Sequence, residues 1–288
     1  MDKNDYPWIN PIGGLGDMLM LSGVLKQVIE RFPERKYNMT RRTNYVDFFD
    51  GHPAIASIGY PPKNAKIVSV NYWNMEKLGG NRQRAYQVLA RSFGLTIPVE
   101  EKLYLHGLEH DDALLLDFIP WRKINIAIAP SSDSPRKIMP ADLWHKLVDM
   151  LKFDGYFVFQ LGRIKDLHIR NAYSLLGLTT PRQAINLISK TNLVITSDNF
   201  IMHAAKMVDK PALVIWGATL KEIYGYEGHF HITASRTCQF SQEEECIDAN
   251  KNENGNIYGT NCPLDKDHCL ANIKVDNIYS MVKNIMCE

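Results

Sequence analysis

The chain alternates short, β-branched apolar segments with amphipathic segments of helical period, and it does so twice along its 288 residues. In the first half, a strand candidate at 6–10 precedes a helix candidate at 17–32, where apolar residues recur every three or four positions. In the second half, the segment INIAIA at 124–129 is apolar at nearly every position, which is typical of a strand buried in a parallel sheet. We therefore predict an α/β protein with parallel sheets flanked by helices.

The alternation is interrupted near residues 116–122, and this interruption divides the chain. We predict an N-terminal Rossmann-like domain at 1–119 and a C-terminal Rossmann-like domain at 120–288. The content of hydrophobic residues is 45% and that of charged residues is 23%, which is enough apolar material for two packed cores. Ligands of such sheets bind at the carboxyl ends of the strands, where helix N-termini converge. We therefore expect the functional residues in the loops that follow the strands.

The overall charge excludes some partners. Thirty-three basic residues against 32 acidic ones leave a formal net charge of +1, so broad electrostatic binding of nucleic acid is not expected. No apolar run approaches the length of a bilayer span, and the first residues lack the basic-then-apolar layout of a signal peptide. We expect a soluble, cytoplasmic protein without a transmembrane segment.

The cysteines are confined to the C-terminal end of the chain. They are Cys238, Cys246, Cys262, Cys269 and Cys287. In a reducing compartment, clustered cysteines are metal ligands more often than disulfide partners, and His268 beside Cys269 is a further candidate ligand. The spacing of the first four cysteines is looser than that of a zinc ribbon. Two interpretations stay open: these four hold a structural zinc or iron ion, or they are unpaired thiols in a loop-rich tail.

A glycine-rich turn with an aspartate follows the first predicted strand. Gly13, Gly14 and Gly16 allow a close approach of the backbone to a ligand, and Asp17 stands near a helix start, where N–H groups favour a carboxylate. Asp17 is then either a capping residue or a functional carboxylate. The spacing matches neither a phosphate-binding P-loop nor the dinucleotide motif G-x-G-x-x-G. A nicotinamide-dependent oxidoreductase is therefore disfavoured, and we expect no organic cofactor.

A second polar loop follows the strand at 124–129. It contains Ser131, Ser132 and Lys137, whose hydroxyl and ammonium groups offer hydrogen-bond donors and positive charge at a strand end. Such a set suits a phosphate or diphosphate. The alternative is a solvated loop whose charges are incidental.

A third polar loop follows the strand at 193–196. Ser197 and Asp198 end the strand and precede a short helix, and His203 comes about one turn later. Small polar residues at such a helix start form a site that is receptive to anions. The alternative is a capping aspartate and a core histidine.

Five segments, in this order along the chain, resemble glycosyltransferase family 9, the lipopolysaccharide heptosyltransferase group. They are GGLGDMLMLS (13–22), APSSDSPRKIMP (129–140), VFQLG (158–162), ITSDNFIMHAAK (195–206) and PALVIWGAT (211–219). The tail CPLDKDHCLANI (262–273) resembles the cysteine-bearing ends of some members, including enzymes that glycosylate bacterial autotransporters. The resemblance implies the GT-B fold, in which two Rossmann-like domains face a central cleft. The acceptor then binds mostly to the N-terminal domain and the nucleotide sugar mostly to the C-terminal one.

The resemblance also implies a reaction and its residues. The reaction is an inverting, metal-independent transfer of a sugar, by family default heptose, from a nucleotide-diphosphate sugar to a hydroxyl of a glycan, glycolipid or protein. Asp17 takes the position of the catalytic base, with Gly13, Gly14 and Gly16 in the acceptor loop. The implied donor-binding residues are Ser131, Ser132, Lys137, Gly162, Ser197, Asp198 and His203.

The chain departs from the family pattern at two of these segments. An acidic residue often follows the glycine of the VFQLG segment, whereas here Gly162 precedes Arg-Ile-Lys, and Asp166 is the candidate replacement. The usual run of small residues between Asp198 and His203 is replaced by Asn-Phe-Ile-Met. These departures are consistent with an alternative function, a noncatalytic nucleotide-sugar-binding or GT-B-like scaffold protein.

Overall fold

The computed structural model describes residues 6–41, 45–72, 83–108, 119–235, 262, 264 and 268–287. The chain divides into two compact units, residues 1–110 and 111–288. Each unit is built on a parallel sheet with helices between its strands, so the predicted α/β class is confirmed. The described helices are each too short or too polar to cross a lipid bilayer.

The N-terminal unit contains a four-stranded parallel sheet. Its strands β1–β4 span Trp8–Pro11, Tyr37–Thr40, Ile55–Gly59 and Ile67–Val70, and its helices α1 and α2 span Leu15–Arg31 and Ala85–Ser92. The strand order is β3-β2-β1-β4, so the chain order reverses between β1 and β4. Pro11 of β1 pairs with Val70 of β4, which means that the loops after these two strands begin side by side. Ligand sites in α/β sheets lie at such a reversal.

The C-terminal unit contains a six-stranded parallel sheet. Its strands β5–β10 span Asn125–Ala129, Phe157–Gln160, Tyr173–Ser174, Leu193–Ser197, Ala212–Trp216 and Phe230–Thr233. Its helices α3–α7 span Ala141–Phe153, Pro181–Ile188, Phe200–Met207, Lys221–Tyr224 and Val275–Cys287. The strand order is β10-β9-β8-β5-β6-β7, so the reversal lies between β5 and β8. Register pairs Ala129 with Thr196, which brings the loops after β5 and β8 to one edge of the sheet.

The central strands of the C-terminal sheet are apolar at consecutive positions because both of their faces are buried. Every residue of β5, β8 and β9 is buried, because helices cover both faces of the sheet. The core of this unit continues into α3 and α7, where Trp144, Leu147 and Ile278 pack together with the strands. The loops at the carboxyl edge therefore extend from a rigid base.

Candidate functional site

Asp17 lies at the reversal point of the N-terminal sheet. Helix α1 begins at Leu15, two residues earlier than the sequence predicts, so Gly16 belongs to the helix and Gly14 is its N-cap. The interpretation of Asp17 as the N-cap residue is therefore wrong, because Asp17 is the third residue of the helix. Its carboxylate lies in the first turn. From there Oδ2 accepts a hydrogen bond from the Gly14 N–H at 2.6 Å. This bond closes the first turn and fixes one oxygen of the carboxylate.

The second oxygen of Asp17 is held from the neighbouring strand. The hydroxyl of Tyr72, two residues beyond β4, donates to Oδ1 at 2.9 Å. Gly13 has a φ of +136°, and a Cβ at this position would come within 2.3 Å of Asp17 Oδ2. The glycine is thus required both by the backbone conformation and by the close packing of the carboxylate.

Asp17 forms part of the wall of a small recess. Apolar side chains from the β1 loop, α1, β4 and α2 line the rest of it, together with Asn71 and Tyr72. Asp17 is half-buried, so its carboxylate is only partly withdrawn from solvent. Asp17 is thus one of the residues that line the recess, whereas the predicted acceptor-loop residues Gly13, Gly14 and Gly16 lie beside it in the chain, at the start of α1.

The C-terminal unit carries a buried ion pair at its own reversal point. Lys137 lies in a single 3-10 turn, Pro135–Lys137, after β5, and its Nζ contacts Asp198 Oδ2 at 2.7 Å. The hydroxyl of Thr219, in the loop after β9, donates to the same oxygen at 2.7 Å. Three loops of the carboxyl edge thus meet at one carboxylate.

The charge state of this pair follows from its surroundings. Burial alone raises the pKa of the Asp198 carboxyl, but the Lys137 charge and the hydrogen bonds from Lys137 and Thr219 outweigh burial. The pKa of Asp198 therefore lies below its ordinary value, and the carboxyl is ionised at neutral pH. An ionised Asp198 stabilises the charged form of Lys137. The carboxyl edge of the C-terminal sheet therefore contains an ammonium group although Lys137 is buried.

Asn199, rather than Asp198, is the N-cap of α5. Its Oδ1 accepts from the Ile201 N–H at 2.8 Å, and its Nδ2 donates to the carbonyl oxygens of Ala129 and Ser131 at 2.9 and 2.7 Å. The prediction of a cap at Asp198 is therefore wrong, because the following amide caps the helix and leaves Asp198 to bind Lys137. Asn199 joins the loop after β5 to the start of α5, a role that the sequence reasoning missed.

The predicted serines take part in the same edge. Ser132 Oγ donates to the Asp198 carbonyl at 3.0 Å, and Ser197 Oγ donates to the Pro130 carbonyl at 3.1 Å. Ser131 Oγ accepts from the Leu167 N–H at 3.0 Å. Ser132 and Ser197 thus link the loop after β5 to the end of β8 and the loop that follows it, whereas Ser131 links the loop after β5 to the loop after β6. Because a hydroxyl carries one proton, Ser132 can donate to a ligand only by releasing the Asp198 carbonyl.

His203 is buried on α5 behind Asp198. Its Nδ1 lies 2.6 Å from the hydroxyl of Tyr226. Burial lowers the pKa of His203 to about 4, an effect to which the Lys137 charge adds and which the Asp198 charge opposes. The imidazole is neutral at pH 7 and carries one N–H donor.

Gly162 follows β6 on the other side of β5, with a φ of +155°. A Cβ at Gly162 would lie 2.8 Å from Asp166 Oδ2, so the two residues pack closely. Asp166 accepts from the N–H of Arg163 at 2.8 Å and from its guanidinium at 3.0 Å. The candidate replacement for the family's acidic residue is thus engaged in a local turn after β6.

Only part of the predicted metal cluster can be located. Cys238 and Cys246 lie outside the described residues, while Cys262 and Cys269 are half-buried. The described residues contain no group of three or more histidine, cysteine or acidic side chains placed to hold a metal ion. Leu270, next to Cys269, packs against Gly217, where a Cβ would lie 2.6 Å from Leu270 Cδ1. The cysteine-bearing tail therefore contacts the loop that carries Thr219.

Solved structures of heptosyltransferases have the same fold as this chain. The ADP-heptose lipopolysaccharide heptosyltransferase II of E. coli matches with a TM-score of 0.65 and 14% identity, covering 98% of both chains. The dodecameric iron-containing heptosyltransferase TibC, solved with ADP-D-β-D-heptose, matches with a TM-score of 0.72 and 17% identity over 98% of this chain and 77% of its own. At these identities the comparison establishes the fold, which is that of the heptosyltransferases.

The sequence comparison establishes the family. Residues 58–256 match the sequence model of glycosyltransferase family 9 (heptosyltransferase), and the chain belongs to this family. Lipooligosaccharide heptosyltransferase 2 of Haemophilus influenzae is 32% identical over 136 residues, which cover 42% of this chain and 38% of that protein. The matched stretch thus spans well under half of this relative. The family match begins after the Asp17 loop and therefore does not include the residue that the resemblance places at the position of the catalytic base.

Proposed function

We propose that the chain is an inverting, metal-independent glycosyltransferase that transfers a sugar from a nucleotide-diphosphate donor to an acceptor hydroxyl. One observation carries the proposal: the Asp17 carboxylate stands at the reversal of the N-terminal sheet, oriented on the wall of a recess. Heptose linked to ADP is the first donor to test, because TibC was solved with ADP-D-β-D-heptose. We assign the acceptor to the domain at 1–119 and the donor to the domain at 120–288.

Asp17 acts as the general base in this proposal. The acceptor oxygen attacks the anomeric carbon on the face opposite the diphosphate, and the configuration at that carbon inverts. As the new C–O bond forms, the bond to the leaving phosphate oxygen breaks, and its electron pair departs with the nucleoside diphosphate. Asp17 takes the hydroxyl proton, which makes the acceptor oxygen a stronger nucleophile.

The loops of the C-terminal unit stabilise the leaving group. The diphosphate gains negative charge as the bond breaks, and Lys137 supplies a cation that Asp198 holds in its charged form. The Ser131 hydroxyl and backbone N–H groups at the start of α5 are the further donors, and the Ser132 hydroxyl becomes one when it releases the Asp198 carbonyl. A fixed ammonium group can take the place of a divalent cation here, which is the basis for proposing metal independence.

We assign a separate, structural role to the cysteines. Cys238, Cys246, Cys262 and Cys269 would hold a zinc or iron ion that orders the tail behind the Gly217–Thr219 loop. The donor set is thiolate, which suits zinc or iron and does not suit magnesium. Metal analysis of the purified protein, with Cys262→Ser compared by thermal unfolding, tests this role independently of activity. A metal-free wild type that unfolds at the same temperature as the variant contradicts it.

The activity is tested with the full chain and a panel of nucleotide sugars that includes ADP-β-D-heptose. Release of nucleoside diphosphate and the mass of glycan, glycolipid and protein acceptors are followed with and without a chelator. We expect release that depends on an acceptor and persists after brief chelation. Donor binding in calorimetry without transfer to any acceptor supports the noncatalytic alternative, and a requirement for added Mg²⁺ contradicts metal independence.

A further inference from the structure

The pairing of β4 with β1 brings Tyr72 close to the loop that carries Asp17. Val70, the last residue of β4, pairs with Pro11, the last residue of β1, and Tyr72 follows two residues later. Its ring is almost fully buried, while its hydroxyl reaches the Asp17 carboxylate. Tyr72 therefore brings a hydrogen-bond donor from a different strand to the residue that the proposed reaction uses as its base.

We propose that Tyr72 is a positioning residue that sets the orientation and ionisation of Asp17 for proton abstraction. This inference rests on the proposed function of Asp17. The carboxylate is held at both oxygens, by the Gly14 N–H at Oδ2 and by the Tyr72 hydroxyl at Oδ1. Rotation of the carboxylate would break both bonds, so its remaining lone pairs point in fixed directions. A general base needs such an orientation before the proton moves.

The hydrogen bond from Tyr72 also favours the charged carboxylate. Donors that bind the ionised form of an acid stabilise that form over the protonated one. Among the described residues that line the recess, Asp17 and Tyr72 are the titratable ones, and the adjoining elements contribute Val70 from β4 and Leu89 from α2. The apolar neighbours alone would favour the neutral acid, so the two donors oppose them.

Tyr72→Phe removes this hydroxyl and keeps the ring that packs in the core. The ionisation of Asp17 is followed in the ligand-free full chain by carbon-13 NMR of the aspartate carboxyl groups. A hydrogen bond to a charged group contributes enough to move the midpoint of the Asp17 titration upward by about one pH unit on its loss. An unchanged midpoint overturns the inference, because a hydroxyl that only fills the core would not alter this titration.

Tyr279→Phe is the matched control. Tyr279 donates to Asp154 Oδ2 at 2.7 Å, so the control also deletes a tyrosine–aspartate hydrogen bond, within the C-terminal unit. The hydrogen bonds from Lys283 and Tyr279 hold the pKa of Asp154 below its ordinary value. Tyr279→Phe should therefore shift the signal of Asp154 and leave that of Asp17 in place. A shift of Asp17 in this control contradicts a local role of Tyr72.

A kinetic arm separates the inference from the proposed function. With ADP-β-D-heptose and a working acceptor, Tyr72→Phe should lower kcat roughly tenfold, leave the KM for the donor unchanged and move the acid limb of the pH–rate profile upward. If the wild type transfers no sugar, the proposed function fails, and the NMR comparison still tests the contact. If the wild type is active and the variant matches it in kcat and pH profile, the inference fails while the function stands.

Discussion

The ammonium of Lys137 and the carboxylate of Asp198 form a 2.7 Å ion pair in which both side chains are more than nine-tenths buried. The pair joins the loop after β5 to the loop after β8, at the point where the chain order of the C-terminal sheet reverses. Two charges at this place are costly to bury, and they are compensated by one another and by the Thr219 hydroxyl. The carboxyl edge of this sheet, where we propose that the donor binds, thus carries a paired positive and negative charge in the ligand-free protein.

Lys137→Met tests the energetic side of this pair. The variant leaves the Asp198 charge buried without its cation, and we expect a loss of about 3–5 kcal/mol in the free energy of unfolding. Urea unfolding measures the loss. Adding Asp198→Asn to the variant removes the uncompensated charge and should recover part of the stability.

Lys283→Met is the control for this prediction. It breaks the more exposed pair of Lys283 with Asp154, in which the two side chains are 39% and 18% exposed, and it should cost no more than about 1 kcal/mol. If Lys137→Met and Lys283→Met shift the urea midpoint equally, loss of the buried cation is no more destabilising than loss of the exposed one, which contradicts the prediction.

Asn199→Asp separates the two roles of the capping amide. The carboxylate can still accept from the Ile201 N–H, because aspartate is as good an N-cap as asparagine. It cannot donate to the carbonyl oxygens of Ala129 and Ser131, which it would repel. We expect the fold to persist while calorimetry with ADP shows binding weakened by about tenfold, the effect of roughly 1.4 kcal/mol.

The same change at the opposite end of β8 controls for the added charge. Asn192 Oδ1 accepts from the Asn125 N–H, a bond that an aspartate preserves. Asn192→Asp should bind ADP as the wild type does. Equal ADP binding by Asn199→Asp and the wild type would mean that Asn199 does not organise the donor edge.

Gly13→Ala tests the close packing of the Asp17 carboxylate. The new Cβ would overlap Oδ2, so the carboxylate must move, and the backbone at this position has a positive φ that strains an alanine. We expect at least a tenfold loss of transfer and a loss of about 1–3 kcal/mol in stability. Gly228→Ala is the comparison, because Gly228 has a φ of +86° and no described atom lies within 4 Å of its Cβ position. That variant should show the strain alone, and retained transfer in Gly13→Ala would argue against the assigned geometry.

His229 gives a prediction about pH. Burial, with a smaller effect from His231, lowers the pKa of His229 to about 3, and among the described residues neither ring nitrogen has a hydrogen-bond partner. As pH falls from 6.5 towards 3, the unfolded chain binds a proton that the folded chain does not, so stability decreases. His229→Phe keeps an aromatic ring beside Tyr226 and removes this titration. Urea unfolding at pH 7, 5 and 4 should show a smaller loss than in the wild type.

Other histidines set the limits of that experiment. Burial also lowers the pKa of His52 and of His203 to about 4, so His229→Phe removes only part of the pH dependence. His168→Phe, at an exposed position, is the control for replacing a histidine by phenylalanine. A variant at His229 with the wild-type slope would show that the ring titrates normally in the folded state.

The sequence predicted the strands that carry continuous apolar runs. The strands expected at 6–10, 124–129 and 193–196 lie near the observed β1, β5 and β8, each of which has two neighbours in its sheet. Strands β3, β7 and β10, which no continuous apolar run indicates, are edge strands whose residues are half-buried or exposed. An edge strand has one partner and more contact with solvent, so its composition resembles that of a loop.

The sequence was sufficient to predict which loops form the candidate site, but not which side chains in them contact one another. Each polar loop was expected at a strand end, and parallel sheets bring such ends to one edge. The partners depend on strand order, which local patterns do not contain: Tyr72 reaches Asp17 only because β4 adjoins β1. Likewise, Lys137 was expected to contact a phosphate, and its ion pair with Asp198 follows from the adjacency of β5 and β8. The short cap of α5 was misplaced by one residue because Asp198 and Asn199 have similar capping propensities.

Asp17→Asn tests most directly whether Asp17 is the base of the proposed transfer. The amide keeps the size of the side chain and removes its ability to take up a proton. Transfer from ADP-β-D-heptose to a working acceptor should fall at least a hundredfold, while calorimetry gives the wild-type affinity for ADP. A variant that transfers sugar at the wild-type rate would show that Asp17 is not the base.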